Sequence, residues 1–129
     1  MNVAINDHFD RIEAVLIDSP VVLTYQIISR EVGPSDGKLR VRATFVDGSN
    51  AEFFQFIIQA NDEILAKKYS YHWQYQDAAL RQRWDNAPHH FSLANAPHHI
   101  HLADGRIVTA RPVLGLIEVL QFITDEVTK

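Results

Sequence analysis

The chain has no cysteine, and this absence excludes several kinds of protein. Disulfide bonds and thiolate metal sites both need cysteine, so neither stabilises this chain. No apolar run approaches the roughly 20 residues of a membrane-spanning helix. The first residues also lack a basic segment followed by an apolar one, which predicts that there is no signal peptide. We therefore expect a cytoplasmic protein that does not associate with a membrane.

An excess of positive charge is also missing, since the formal net charge is −4. A negative total argues against a uniformly basic nucleic-acid-binding protein, but it leaves room for a local basic surface. Hydrophobic residues make up 47% of the chain, which is typical of a folded protein rather than a disordered one. The length predicts a single domain over residues 1–129 with a sizeable core.

The spacing of apolar residues predicts an α+β fold. Residues 4–18 have helical periodicity, with Asn6 as a candidate N-cap and Ser19-Pro20 as the end of the helix. Five β-strands of an antiparallel meander are predicted to follow at 21–32, 39–46, 52–59, 63–76 and 80–86. A histidine-rich loop and a short strand near Ile100 come next, and Pro112 suits the first turn of a last helix. The two helices are expected to flank the sheet and to cover one of its faces.

Alternation along the strands assigns each residue to one face of the sheet, provided that the hairpin loops have even lengths. The core face is then predicted to contain Leu39, Val41, Phe45, Phe54, Phe56, Ile58, Leu65, Tyr69, Tyr71, Trp73, Leu80 and Trp84. The opposite, polar face is predicted to contain Arg40, Arg42, Gln55, Lys68, Ser70, His72, Gln74, Arg81, Arg83 and Asp85. A turn centred on Asp77-Ala78 would place His72 opposite Arg83. The same turn would place Gln74 opposite Arg81.

Six of the seven histidines lie in the segment from Tyr69 to His101. The pentapeptide Asn-Ala-Pro-His-His occurs there twice, at 86–90 and 95–99. Histidine titrates near neutral pH, so two of these side chains could divide the roles of general acid and general base. His99 and His101 would also lie on one side of a strand, as in some metal sites, although the spacing matches no standard zinc motif. The alternative is a polar loop whose histidines bond to the backbone.

Cations on the polar face offer a second candidate site. This cationic face could bind the phosphates of RNA, but a solvated sheet face explains the same residues slightly better. Its predicted members are Arg40, Arg42, Lys68, Arg81 and Arg83, with His72 beside them. Asp85 could orient an imidazole, or it could pair with Arg83. Tyrosine and tryptophan side chains in residues 69–75 could stack on bases, although their alternation favours the core.

Three segments resemble the TumE family of bacterial toxins, namely Tyr-Ser-Tyr-His-Trp at 69–73, Arg-Trp-Asp-Asn-Ala-Pro-His-His at 83–90 and Pro-His-His-Ile-His at 97–101. Membership would imply a small cytoplasmic toxin of a type II toxin–antitoxin module. Its partner would be a cognate antitoxin that resembles a helix-turn-helix DNA-binding protein. The resemblance supplies no catalytic set, so the roles of individual residues rest on their chemistry.

The combined expectation is a toxin that acts on RNA without a metal or another cofactor, and whose activity survives chelation. One histidine would accept the proton of a ribose 2′-hydroxyl, a second would protonate the leaving oxygen, and Arg81 or Arg83 would stabilise charge on the phosphate. The candidate catalytic residues are His72, Arg81, Arg83, Asp85, His89, His90, His98, His99 and His101. The candidate RNA-binding residues are Arg40, Arg42 and Lys68.

Two other functions remain open at this point. The first is a metal-dependent hydrolase or nucleotidyl-modifying enzyme that uses the histidines. The second is a non-enzymatic module that binds RNA or a protein through the cationic face. A homo-oligomer is also compatible with the sequence.

Overall fold

A computed structural model of the chain describes residues 2–87, 98–109 and 115–129. The element order within them is α1 (Val3–Asp18), β1 (Val22–Val32), β2 (Asp36–Phe45), β3 (Asn50–Ala60), β4 (Glu63–Gln74), β5 (Leu80–Asp85), β6 (His99–Leu102), β7 (Ile107–Thr109) and α2 (Leu116–Val127). The strands form an antiparallel sheet in which each strand pairs with its neighbours in the chain. The predicted α+β class is confirmed, and within the described residues the meander has seven strands rather than about five. The sequence does not predict β7, because three residues are too few to show alternation.

Both helices pack on the same face of the sheet. In α1, the buried side chains Ile5, Phe9, Ile12 and Leu16 follow one another at helical spacing, as do Leu116, Val119, Leu120 and Ile123 in α2. The ring of Phe122 in α2 lies 5.5 Å from that of Trp84 in β5. The N-cap of α1 is Asn2, whose side chain accepts a hydrogen bond from the Ile5 N–H, so the prediction of Asn6 was wrong. The helix ends at Asp18, and Ser19 is its C-cap, in agreement with the predicted end at Ser19-Pro20.

The register between β2 and β3 differs from the prediction. Val41 lies opposite Phe53, and three residues separate Phe45 from Ser49, whose carbonyl accepts the Phe45 N–H. Gly48 in this loop has φ +88°, a conformation that favours glycine. The odd loop length shifts every β3 side chain to the opposite face. Phe54, Phe56 and Ile58 therefore leave the core face, which receives Phe53, Gln55 and Ile57 instead.

Gln55 is buried by this shift, and its amide is satisfied by hydrogen bonds. Its Nε2 donates to the Tyr71 hydroxyl at 2.8 Å, and its Oε1 lies 3.0 Å from Nε2 of His8. Paired polar groups of this kind can be buried at little cost. The prediction that Gln55 belongs to the polar face was therefore wrong.

Two bulges change the remaining assignments. An irregularity after Phe56 places Leu65 opposite Ile58, and Leu65 is 45% exposed rather than in the core. His72 lies opposite Arg83, as predicted. A second irregularity, between Trp73 and Gln74, places Leu80 rather than Arg81 opposite Gln74. Each bulge inserts one residue, which reverses the facing of the residues beyond it.

Arg81 consequently lies on the helix-covered side of the sheet. Its guanidinium is 3.9 Å from the centre of the Trp73 ring, and its Nη1 donates to Asp47 Oδ2 at 2.8 Å. Leu80 moves in the opposite direction and is only partly buried. The predictions of Leu80 as core and of Arg81 on the polar face were therefore wrong, whereas Tyr69, Tyr71, Trp73 and Trp84 are buried as predicted.

Candidate functional site

The face of the sheet that the helices do not cover, here called the open face, contains a groove of about 770 Å³. Among the described residues that line it, four are cations and one is a carboxylate. The cations are Arg40, Arg42, Lys68 and Arg83, and the carboxylate is Glu52. The groove is therefore positively charged although the whole chain is negative.

Strand pairing aligns the side chains of the open face in two rows that cross the sheet. The first row is Arg42, Glu52, His72, Arg83 and His101. The second row is Arg40, Phe54, Ser70, Asp85 and His99. Because neighbouring strands lie about 4.8 Å apart, each row spans about 19 Å from β2 to β6. The rows connect the cationic groove to the histidines of β6.

Glu52 holds two arginines at the β2 end of the groove. Its Oε1 accepts a hydrogen bond from Arg42 Nε, and its Oε2 accepts one from Arg40 Nη1, both at 3.0 Å. The hydrogen bond from Arg42, together with the charges of Arg40 and Arg42, lowers the pKa of the Glu52 carboxyl. The side chains of Arg40 and Arg42 remain 39% and 66% exposed. Glu52 therefore orients these cations without burying them.

Two aromatic rings on the open face were not predicted as site residues. Phe54 lies under the guanidinium of Arg40, 4.7 Å from it, and Phe56 lies 5.7 Å from the ammonium of Lys38. Phe54 also lines the groove. The signal that could have found them is Gly48, because an odd-length loop with a glycine at positive φ reverses the facing of β3.

The buried tyrosines do not take the base-stacking role. Tyr69 and Tyr71 lie on the helix-covered side and are 3% and 0% exposed. Burial, followed by the charge of Asp85, raises the pKa of Tyr69 to about 12, and burial raises that of Tyr71 as well. Both side chains therefore stay uncharged at neutral pH and belong to the core.

His72 lies in the middle of the first row, between Glu52 and Arg83. Its Nε2 is 3.2 Å from Oε1 of Gln74, which can only accept a hydrogen bond. A hydrogen bond between these two atoms requires a proton on Nε2. Nδ1 is buried and has no hydrogen-bond partner within the described part of the chain.

Asp85, His99 and His101 form a cluster where β5 pairs with β6. Asp85 lies directly opposite His99, and its Oδ1 is 2.8 Å from His99 Nε2. Its Oδ2 is 3.4 Å from His101 Nε2 and accepts a hydrogen bond from Arg83 Nε at 2.9 Å. The two Nε2 atoms are 3.1 Å apart. Asp85 and His99 are buried, whereas the side chain of His101 is 23% exposed.

The other candidate histidines do not join this cluster within the described residues. His98 points toward the helix-covered side, where its Nδ1 lies 2.9 Å from the Tyr69 hydroxyl and its ring stacks on Tyr69. Burial, followed by the charge of His99, lowers the pKa of His98. His89 and His90 lie outside the described residues. The fold thus brings together Arg83, Asp85, His99 and His101 near the RNA-binding candidates, and it separates Arg81 and His98 from them.

These features define an α+β protein that presents a cationic groove and a histidine–carboxylate cluster on one face of an antiparallel sheet. A family model described as Toxin TumE matches residues 12–129, so the chain belongs to the TumE toxin family. A toxin of this kind implies a cognate antitoxin. Comparison with curated proteins and with solved structures gave no match. No helix in the described ranges is long and apolar enough to cross a membrane.

Proposed function

We propose that this toxin acts in the cytoplasm by binding and cleaving RNA on the open face of the sheet. The observation that carries the proposal is the register of β2 to β6, which aligns the cationic groove with the Asp85–His99–His101 cluster on one face. Binding groups and reactive groups are then about 19 Å apart at most, within the reach of a short single strand.

The groove supplies the contacts that hold the nucleic acid. Arg40, Arg42 and Lys68 lie on its wall and can neutralise backbone phosphates. Phe54 offers a flat apolar surface beside Arg40, on which one base could stack. Neither kind of contact reads a base sequence, so we expect the groove to orient RNA rather than to select a sequence.

The chemistry would occur at the other end of the rows. The Arg83 side chain is 41% exposed, and its Nη atoms could donate to a phosphate while Nε donates to Asp85. Two imidazoles flank Arg83 in the first row and would carry out the proton transfers. His101 lies opposite Arg83 in β6 and is partly exposed, and His72 lies opposite Arg83 in β4. The 2′-hydroxyl would lose its proton to one base as its oxygen bonds to phosphorus, and the departing 5′-oxygen would take a proton from an acid.

The proposed partner is the antitoxin of a type II module, a protein of the helix-turn-helix kind. Support for this partner comes from the toxin family alone. An antitoxin that covers the open face would neutralise the toxin directly, since binding and cleavage both need that face.

Expression of the chain alone is expected to arrest bacterial growth, and co-expression of its antitoxin is expected to restore it. The physical reason is that uncontrolled RNA cleavage halts protein synthesis. Growth curves after induction, with the protein level measured in parallel, test this expectation. Unimpaired growth at a high level of folded protein would contradict the function proposed for this chain.

The paired change Arg40→Gln and Arg42→Gln is expected to weaken RNA binding and to make it less sensitive to salt. Loss of two phosphate contacts should reduce the slope of log affinity against log salt concentration by about 1.4. Titration of a 2′-O-methyl RNA, which lacks the attacking hydroxyl, measures binding without cleavage.

The matched control removes two cations elsewhere, through Arg11→Gln in α1 and Lys129→Gln at the end of the chain. Arg11 is exposed and the side chain of Lys129 is 70% exposed, so neither change should disturb the fold. Equal loss of salt dependence in the control and in the Arg40/Arg42 variant would show that binding is not confined to the groove.

A further inference from the structure

We infer that Asp85, His99 and His101 bind one divalent first-row transition-metal ion. The inference deepens the proposed function, because the ion would sit at the reacting end of the two rows. The ion-binding step itself does not depend on RNA cleavage and can be measured separately.

Distances between the candidate ligand atoms support the site. One atom from each residue can be chosen so that all three lie within 4.8 Å of one another. The two Nε2 atoms are 3.1 Å apart, and the carboxylate oxygens lie 2.8 Å from His99 and 3.4 Å from His101. Ligands bonded to one ion at about 2.1 Å are separated by about 3.0 Å at right angles and by about 3.4 Å at tetrahedral angles. The side chains are therefore already spaced as ligands of a single ion.

Lone pairs give a further reason. Carboxylate oxygens carry lone pairs, and so does an imidazole Nε2 without a proton. Coordination of one cation by Asp85, His99 and His101 would use these lone pairs, whose atoms lie within 4.8 Å of one another.

Burial and strand pairing fix the positions of two of the three candidate ligands. Asp85 and His99 are 2% and 1% exposed, and the pairing of β5 with β6 holds them opposite each other. Arg83 Nε donates to Asp85 Oδ2 and fixes the orientation of the carboxylate, as residues around metal ligands commonly do. The carboxylate can keep this hydrogen bond with one oxygen while the other coordinates.

The ligand set indicates which ions fit. Two imidazoles with one carboxylate suit Zn²⁺, Mn²⁺, Fe²⁺ or Co²⁺, whereas Mg²⁺ and Ca²⁺ prefer oxygen ligands alone. Three protein ligands also leave coordination positions open, which is typical of catalytic sites. Since His101 is the most exposed ligand and neighbours Arg83, we expect the open positions to face the phosphate-binding end of the groove.

This inference changes the role of two candidate residues. His99 and His101 would be ligands, and their Nε2 atoms could not also transfer protons. A water on the ion would then be acidic enough to take part in proton transfer, and a phosphate oxygen could bind beside it. Activity would depend on the ion, in contrast to the resistance to chelation expected from the sequence alone.

The experiment uses the full chain, purified and treated with a chelator that is then removed. Titration with Zn²⁺ is followed by calorimetry, and titration with Co²⁺ is followed by visible absorption, which reports nitrogen and oxygen ligands. We expect one ion per chain, together with a higher Tm in the presence of Zn²⁺, because an ion that binds only the folded state stabilises it.

Variants identify the ligands. Asp85→Asn and His101→Gln are expected to lower the affinity for Zn²⁺ by at least about 100-fold, a loss larger than the 10- to 100-fold typical of residues around the ligands. His98→Gln and His72→Gln are the matched controls, because each removes a nearby histidine outside the cluster and should leave the affinity unchanged. His101 is partly exposed, so its variant remains informative if the buried Asp85 variant fails to fold.

Several results would overturn the site. These are a wild-type chain that takes up neither ion, an affinity that His101→Gln leaves intact, and an affinity that His89→Gln with His90→Gln removes instead. Failure of this inference and failure of the proposed function are distinguishable. Ion binding in a chain that cleaves no RNA would support the metal site and contradict the proposed function. RNA cleavage by a chain that takes up no ion would support the proposed function and contradict the metal site.

Discussion

Replacing Arg83 with glutamine is expected to lower the rate of RNA cleavage by about 10²-fold or more and to relieve growth arrest, a loss comparable to removing one preorganised donor from a charged transition state. Arg83 has a partly exposed guanidinium at the junction of the groove and the cluster, and its Nε orients Asp85. His72→Gln is expected to act in the same direction, since His72 lies opposite Arg83 in the row. Cleavage of a labelled RNA and growth after induction measure both effects.

Arg81→Gln is the matched control for this prediction. It removes the same kind of charge only two residues away, but Arg81 stacks on Trp73 on the helix-covered side of the sheet. We expect it to leave cleavage intact while lowering Tm modestly. Arg83→Lys tests the fold independently, since it keeps a positive charge beside the buried Asp85. Cleavage that survives Arg83→Gln, or is lost equally in Arg81→Gln, would contradict the assignment of the two faces.

Trp84→Ala is expected to destabilise the protein by about 3–5 kcal/mol, because it removes a large buried side chain and leaves a cavity. Trp84 is 2% exposed and its ring meets that of Phe122 edge to face at 5.5 Å. Against a typical total stability of about 5–15 kcal/mol, such a loss leaves much of the chain unfolded. Urea denaturation followed by circular dichroism gives the change in the free energy of unfolding.

The control for Trp84 is Tyr75→Ala, which removes an aromatic side chain that is 44% exposed. We expect this change to cost less than about 1 kcal/mol, as surface substitutions usually do. If Trp84→Ala unfolds no more readily than Tyr75→Ala, the contact between β5 and α2 contributes little to stability. The same stability measurement separates two causes of lost toxicity. We expect unfolding to be the cause in Trp84→Ala and lost chemistry to be the cause in Arg83→Gln.

The groove and the cluster place different demands on the sheet. The proposed phosphate binding would need exposed cations, and Glu52 holds Arg40 and Arg42 in position at the surface. In the cluster, by contrast, Asp85 and His99 are buried. Arg83 belongs to both regions, which explains why its replacement has the largest expected effect on activity.

Local patterns in the sequence were sufficient for most of the elements and for one pairing on the open face. Helical periodicity located α1, and alternation located the strands and the buried aromatic residues of β4. The pairing of His72 with Arg83 was also predicted correctly. It was correct although the turn is irregular, because the bulge beside Gln74 offsets the odd loop in which Ala78 has φ +73°. Two local deviations cancelled, so the parity beyond them was preserved.

Side-chain facing along β3 and the first half of β4 could not be obtained in this way. One three-residue loop at Gly48 reversed the whole of β3, moving Phe54 into the groove and Gln55 into the core. One inserted residue in β4, Lys67, exposed Leu65, because Phe56 pairs with Lys68 and Ile57 pairs with Ala66. Whether a loop has an odd or even number of residues, and where a bulge occurs, depends on how a strand pairs with its neighbours. The alternation of residues within a single strand does not predict either feature.

The sequence by itself determined that this protein has an α+β fold, a buried aromatic core and a segment rich in histidine. Only the tertiary structure decided which of those histidines meet. Asp85 and His99 are far apart in the chain, and the pairing of β5 with β6 brings the carboxylate and two imidazoles within hydrogen-bonding range. His98 is adjacent to His99 but meets Tyr69 instead, because successive side chains of an extended segment point to opposite faces.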